Sequence, residues 1–121
     1  MRDSCARPAM APPRTPFALI EHPLPEGGVR LALRGEMDLA TVPGLQERLE
    51  GLRAARTPVV IDLREVTFID STGIRCLLLA GTDASRDGWR VEVIQGPKQV
   101  RETLEVAGIV QRLPLVDAPP E

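Results

Sequence analysis

The run Phe68-Ile69-Asp70-Ser71-Thr72-Gly73-Ile74 constrains the fold of this chain more than any other segment. Two apolar residues give way to a carboxylate, two hydroxyls and a glycine, and then Ile74, Leu77, Leu78 and Gly81 recur at helical spacing. A strand that passes into an amphipathic helix in this way is a β–α unit, which calls for a sheet with helices packed on it. Asp70 or Ser71 is placed to cap the helix, so a hydroxyl stands beside the unpaired N–H groups of a helix N-terminus, a position that favours negative charge, phosphate included.

The rest of the chain repeats the alternation. Phe17 to Glu21 reads as a short strand, and Val29, Leu31 and Leu33 alternate with Arg30, Ala32 and Arg34 as in a half-buried one. Glu36 to Ala40 reads as a turn, and Thr41 is placed to cap a helix with Val42, Leu45, Leu49 and Leu52 on its inner face, ending before Pro58. Val59-Val60-Ile61-Asp62-Leu63 is a continuous run that predicts a central strand covered on both faces, with Arg64 to Thr67 as a loop. Asp62 inside such a run must emerge at a strand end or find a hydrogen-bonding partner. The helix from about Ser71 to Arg86 ends at Asp87-Gly88, Trp89 to Ile94 is a further strand, and Gly96-Pro97 opens a helix with Val100, Leu104 and Ala107 inward and Gly108 as its C-terminal glycine. Leu113 to Val116 is a weak last strand interrupted by Pro114. The order β-β-α-β-α-β-α-β predicts a single α/β domain over residues 17–116, with a mixed sheet of four to five strands and three to four helices. Residues 1–16, with four prolines and three arginines, read as a disordered tail, and residues 117–121 as a polar one.

Composition narrows the function. The 15 basic residues are scattered among 17 acidic ones for a net charge of −2, which gives no basic stripe for nucleic acid. His22 is the only histidine, between Glu21 and Pro23, and reads as an exposed strand-end residue rather than a catalytic base or a zinc ligand. Cys5 and Cys76 suggest neither a disulfide framework nor a metal knuckle and fit a reducing cytoplasm, with Cys76 a small core residue. No stretch approaches the roughly 20 apolar residues of a membrane span, and the opening segment has no apolar run of the signal-peptide kind. No Gly-rich nucleotide loop is present and no paired carboxylates suggest acid–base work, so the expectation is a non-enzyme without metal or cofactor.

Three groups of residues resemble the STAS domain, the family named for sulfate transporters and anti-sigma factor antagonists. Gly35-Glu36-Met37-Asp38 is similar to its Gly-Glu-(apolar)-Asp turn. Val59 to Leu63, followed by Val66-Thr67-Phe68-Ile69-Asp70-Ser71-Thr72-Gly73-Ile74 and Leu77, resembles its central strand and phosphorylation loop. Gly96-Pro97 with Val100, Leu104 and Gly108-Ile109 is similar to its last third.

The resemblance implies an anti-sigma factor antagonist that works by partner switching. The unphosphorylated protein would bind an anti-sigma factor serine kinase and free the sigma factor. The kinase, which supplies the ATP, would then phosphorylate Ser71 and release the complex, and a serine phosphatase would restore the hydroxyl. Asp38, Asp70, Ser71, Thr72, Gly73, Ile74 and Arg75 are the implied partner-binding residues, with Ser71 the phosphoacceptor and Thr72 a weaker candidate. Each also has an ordinary structural reading: Ser71 or Asp70 as a helix cap, Asp38 as a turn residue, Gly73 as a site of close helix packing. Arg75 and the long proline-rich tail depart from the family pattern. The alternative is a non-phosphorylated STAS scaffold subunit of a transporter, such as a lipid-transport ATPase, or of a stress-sensing complex.

Overall fold

The computed structural model describes residues 17–116, so the two tails expected from the sequence lie outside the described residues. The chain forms β1 (Ala18–Pro23), β2 (Val29–Met37), α1 (Val42–Ala54), β3 (Val59–Ile69), α2 (Ser71–Asp87), β4 (Val91–Ile94), α3 (Lys98–Val106), a 3-10 turn (Val110–Arg112) and β5 (Leu115–Val116). This is the expected order, and the five strands lie side by side in sequence order as a mixed sheet. β1 runs antiparallel to β2, and every later neighbour is parallel.

Parallel neighbours need crossovers, and α1, α2 and α3 supply them. Three successive right-handed crossovers in one direction across a sheet place their helices on the same face. The core agrees: Leu31, Ile61 and Val93, which sit opposite one another in the register, form one cluster with Leu45 and Leu49 of α1, Leu77 of α2, and Val100 and Leu104 of α3. The alternate row, Ala32, Asp62 and Ile94, points to the other face.

That second face overturns one expectation. Among the described residues no helix covers Val60 and Asp62; Val60 is half-buried, and Asp62 is buried beneath arginines. Arg64 donates from Nη2 to Asp62 Oδ2 (2.7 Å) and from its backbone N–H to Oδ1 (3.0 Å), and Arg30 Nη1 donates to Oδ2 (2.9 Å). The buried carboxylate has found its partners as burial of a charge requires.

The expected loop at Arg64 to Thr67 is instead strand. β3 continues to Ile69 because β2 still offers unpaired backbone groups there, giving Gly35↔Val66, Glu36↔Phe68 and Met37↔Ile69. Two register shifts put additional residues into β3, and such bulges break the period-2 pattern by which a strand shows in a sequence. Thr41 differs as well. Its hydroxyl makes no cap bond to α1; it donates to the Glu36 carbonyl (2.8 Å) and accepts the Asp38 N–H (2.9 Å), closing the turn before the helix.

At the end of α3, Gly108 adopts the left-handed conformation (φ +74°), its N–H bonded to the Glu105 carbonyl and that of Ile109 to Leu104. This is the double hydrogen bond that a C-terminal glycine permits, and it turns Ile109 into the core. Ala107, expected inward, is exposed because the helix has already ended there. Cys76 is buried, and burial pushes its thiol up to about 11, the behaviour of a core side chain.

Candidate functional site

β2 and β3 end together. Met37 pairs with Ile69, and the Asp70 N–H donates to the Met37 carbonyl (3.1 Å), so Asp38 and Asp70 leave adjacent parallel strands at the same end of the sheet. In open sheets of this kind the space beyond the carboxyl ends of the strands is where ligands meet the protein.

Asp70 is the cap. Its backbone is extended (φ −107°, ψ −172°), Oδ1 accepts from the N–H groups of Thr72 (2.8 Å) and Gly73 (3.1 Å), and its carbonyl accepts from Ile74 (3.0 Å). Three of the four N–H groups in the first turn, those of Thr72, Gly73 and Ile74, are therefore already occupied, which narrows the expectation of a helix terminus free to receive an anion to the N–H of Ser71 itself. Asp38 does a similar job for its own turn: Oδ1 accepts from Ala40 (3.0 Å) and Thr41 (3.2 Å), and its carbonyl accepts the Val42 N–H (2.9 Å).

With Asp70 as the cap, Ser71 is released from that duty. It is the first residue of α2, exposed, and its hydroxyl makes no hydrogen bond to a described residue. Thr72 beside it is half-buried, as is Ile74, and Arg75 stands exposed one turn further on. Gly73 is buried, and a Cβ built there would lie 2.7 Å from Ile69 Cγ1 and 3.0 Å from Met37 Cβ. Close packing of α2 on the strand ends is what that glycine serves.

This division of labour has a measurable consequence. Asp70→Ala is expected to lower stability by about 1 kcal/mol, the ordinary worth of a helix cap, whereas Ser71→Ala stays within about 0.5 kcal/mol of the parent. Urea unfolding of the two variants checks this, and equal losses would mean that Ser71 shares the cap.

Two apolar side chains at this end, not among the expected site residues, are exposed. Leu39, next to Asp38, is 74% exposed, and Phe68, two residues before Asp70, is 50% exposed. Phe68 could have been found from its neighbour: in a strand that buries Ile69, the residue before it faces outward. Leu39 lies in a turn, where nothing in the local pattern sets its direction.

The profile of the family described as "Mlab, STAS domain" matches residues 22–117. The chain belongs to the STAS domain family. Solved structures share the fold of this STAS domain. An anti-sigma factor antagonist from Mycobacterium paratuberculosis superposes with a TM-score of 0.70 at 24% identity, covering 89% of this chain and 90% of that one. The anti-sigma factor antagonist SpoIIAA in its unphosphorylated form gives 0.69 at 19% identity, over 84% and 89% of the two chains. The Bacillus cell fate determinant SpoIIAA in the phosphorylated form gives 0.66 at 16% identity, over 84% and 92%. No curated protein matches this STAS domain in sequence. Among its described residues no helix is long and apolar enough to cross a membrane.

Proposed function

We propose that this STAS domain is an anti-sigma factor antagonist switched by phosphorylation of Ser71. The observation that carries the reading is the state of that serine: an exposed hydroxyl, free of capping because Asp70 caps in its place, on the rim where two parallel strands end. The fold shared with antagonists, one of them solved in phosphorylated and unphosphorylated forms, supports it.

In this reading the unmodified rim docks an anti-sigma factor serine kinase. Leu39 and Phe68 offer apolar contact area beside Ser71, Thr72 and Arg75, while Asp38, Asp70 and Gly73 hold the turns that present them. The kinase brings ATP. Ser71 Oγ forms the bond to the γ-phosphorus, the bond to the departing ADP oxygen breaks, and the hydroxyl proton passes to a base of the kinase. The product carries about −1.5 to −2 charges next to Asp70, and repulsion and desolvation then oppose docking. A serine phosphatase resets the rim. The domain is substrate and switch in a cytoplasmic circuit, and the chemistry belongs to its partners.

The test is incubation of the purified protein with ATP and serine-kinase anti-sigma factors from its own organism, with the phosphate located by mass spectrometry. Phosphate on Ser71, lost in Ser71→Ala, is expected. Label that persists in Ser71→Ala on the same peptide would move the acceptor to Thr72. The matching profile carries the name Mlab and not that of an antagonist, and a second reading stands beside the first, a STAS scaffold subunit held unmodified in a transporter complex. No phosphate with any kinase, together with stable co-purification of transporter subunits, would decide for it.

A further inference from the structure

A phosphoryl group on Ser71 gains from a counter-charge, and the helix end has little left to supply. The N–H groups of Thr72 and Gly73 are bonded to Asp70 Oδ1 and that of Ile74 to the Asp70 carbonyl. The carboxylates at this end of the sheet, Asp70 and Asp38, add charge of the wrong sign.

Along α2 the residues Ser71, Arg75, Leu79, Thr82 and Arg86 are all exposed, and they follow one another every three or four positions. They form one stripe opposite the buried Gly73, Cys76, Leu77 and Ala80. Arg75 makes no ion pair with any described residue. Arg53, by contrast, is held against the flank of the same helix by Asp83 (3.3 Å) and Asp87 (2.6 Å). Residues four apart are neighbours on a helix, and a long side chain leans toward the N-terminus, so the spacing puts Ser71 within reach of the guanidinium of Arg75. A guanidinium also matches phosphate oxygens with two parallel N–H bonds.

We propose that Arg75 is the on-chain receptor of the phosphoryl group: phosphorylated Ser71 and Arg75 close an ion pair across the first turn of α2, withdrawing from a docked partner the cation beside the acceptor. The proposal rests on the reading of Ser71 as the modified residue. It gives Arg75, a departure from the family pattern, two states. In the unmodified protein its charge is available to a carboxylate of the partner; in the modified one it is spent within the helix. Phosphorylation then both adds an anion to the rim and removes a cation from it.

The experiment needs no kinase. Phosphoserine is installed at position 71 during translation, and the second ionisation of the phosphate is followed by phosphorus NMR in the parent sequence, in Arg75→Gln and in Arg86→Gln. Asp70 and Asp38 raise that pKa alike in all three, so a difference between them reports the arginines. Arg75→Gln is expected to raise it by about 0.2–0.4 unit, the equivalent of a helical ion pair between residues four apart. Arg86→Gln, about 16 Å further along the helix and beyond a Debye length at physiological salt, is expected to leave it unchanged. Equal values for the parent and Arg75→Gln would overturn the pair, and so would an equal rise in Arg86→Gln, which would mark a general field of the helix. A failure to find any kinase would count against the modification itself and leave this measurement standing.

Discussion

Gly73→Ala is expected to destabilise the domain by about 1–3 kcal/mol, the cost of overpacking a filled core. The new Cβ would stand 2.7 Å from Ile69 Cγ1 and 3.0 Å from Met37 Cβ, and neither atom has room to retreat. Met37 is fully buried and Ile69 is 3% exposed, and the atoms in question lie close to their backbones rather than at the ends of flexible side chains. The first turn of α2 must therefore lift from the strand ends. For a domain of this size each kcal/mol corresponds to a fall of roughly 4–8 °C in melting temperature. Gly44→Ala is the matched control: Gly44 is also in a first helical turn and exposed, but its added Cβ meets nothing within 4 Å. There the higher helix propensity of alanine acts alone, and a gain of up to about 1 kcal/mol is expected. Calorimetry of both variants decides the matter, since a Gly73→Ala protein as stable as Gly44→Ala would show that α2 is not pinned to the sheet. Because Ser71 belongs to the turn that lifts, Gly73→Ala also displaces the proposed acceptor.

The same contacts explain what could be read from the sequence. Element order was legible because each helix carries its apolar residues at helical spacing, as with Leu45, Leu49 and Leu52, and each ends at a recognisable signal, as with Gly108. The junction at Asp70 was legible because a carboxylate and two hydroxyls before an apolar helix have few other uses. The second half of β3 was hidden: its exposed pairs Arg64-Glu65 and Thr67-Phe68 imitate a loop, and only pairing with Arg34 to Met37 of β2, more than thirty residues earlier, makes it strand. Which of Asp70 and Ser71 caps α2 was equally closed to pattern reading, since both residue types serve. Backbone geometry decides it, and that choice determines whether Ser71 presents a free hydroxyl. The open face of the sheet was hidden for a related reason. A run such as Val59 to Leu63 looks covered on both sides when the cover on one side is made of arginine side chains supplied by Arg30 and Arg64.

That arginine cover makes stability depend on pH in a direction that can be worked out. Burial raises the pKa of Asp62, but the bonds from the Arg64 side chain and backbone, the charge of Arg64 and the bond from Arg30 outweigh it, and the carboxyl is held below its ordinary value. A group whose pKa is lower in the folded protein than in the unfolded chain stabilises the fold above its unfolded pKa, about 3.9 for aspartate. That contribution fades as pH falls from there toward the folded value, because the unfolded chain takes up the proton first. Asp62→Asn is therefore expected to cost most at neutral pH and progressively less on acidification. The loss at pH 7 is placed at about 2 kcal/mol, less than the ~3–5 kcal/mol of a fully buried pair, because the two arginines left behind reach water. Their side chains are 23% and 38% exposed in the native protein. Denaturant unfolding of the parent and of Asp62→Asn at pH 7 and pH 3 reads the difference directly. A gap between the two proteins that narrows from pH 7 to pH 3 establishes the ion-paired carboxylate as the source. Curves that stay parallel would mean that Asp62 acts through packing and hydrogen bonds that an amide supplies equally, and that its charge contributes nothing to the fold.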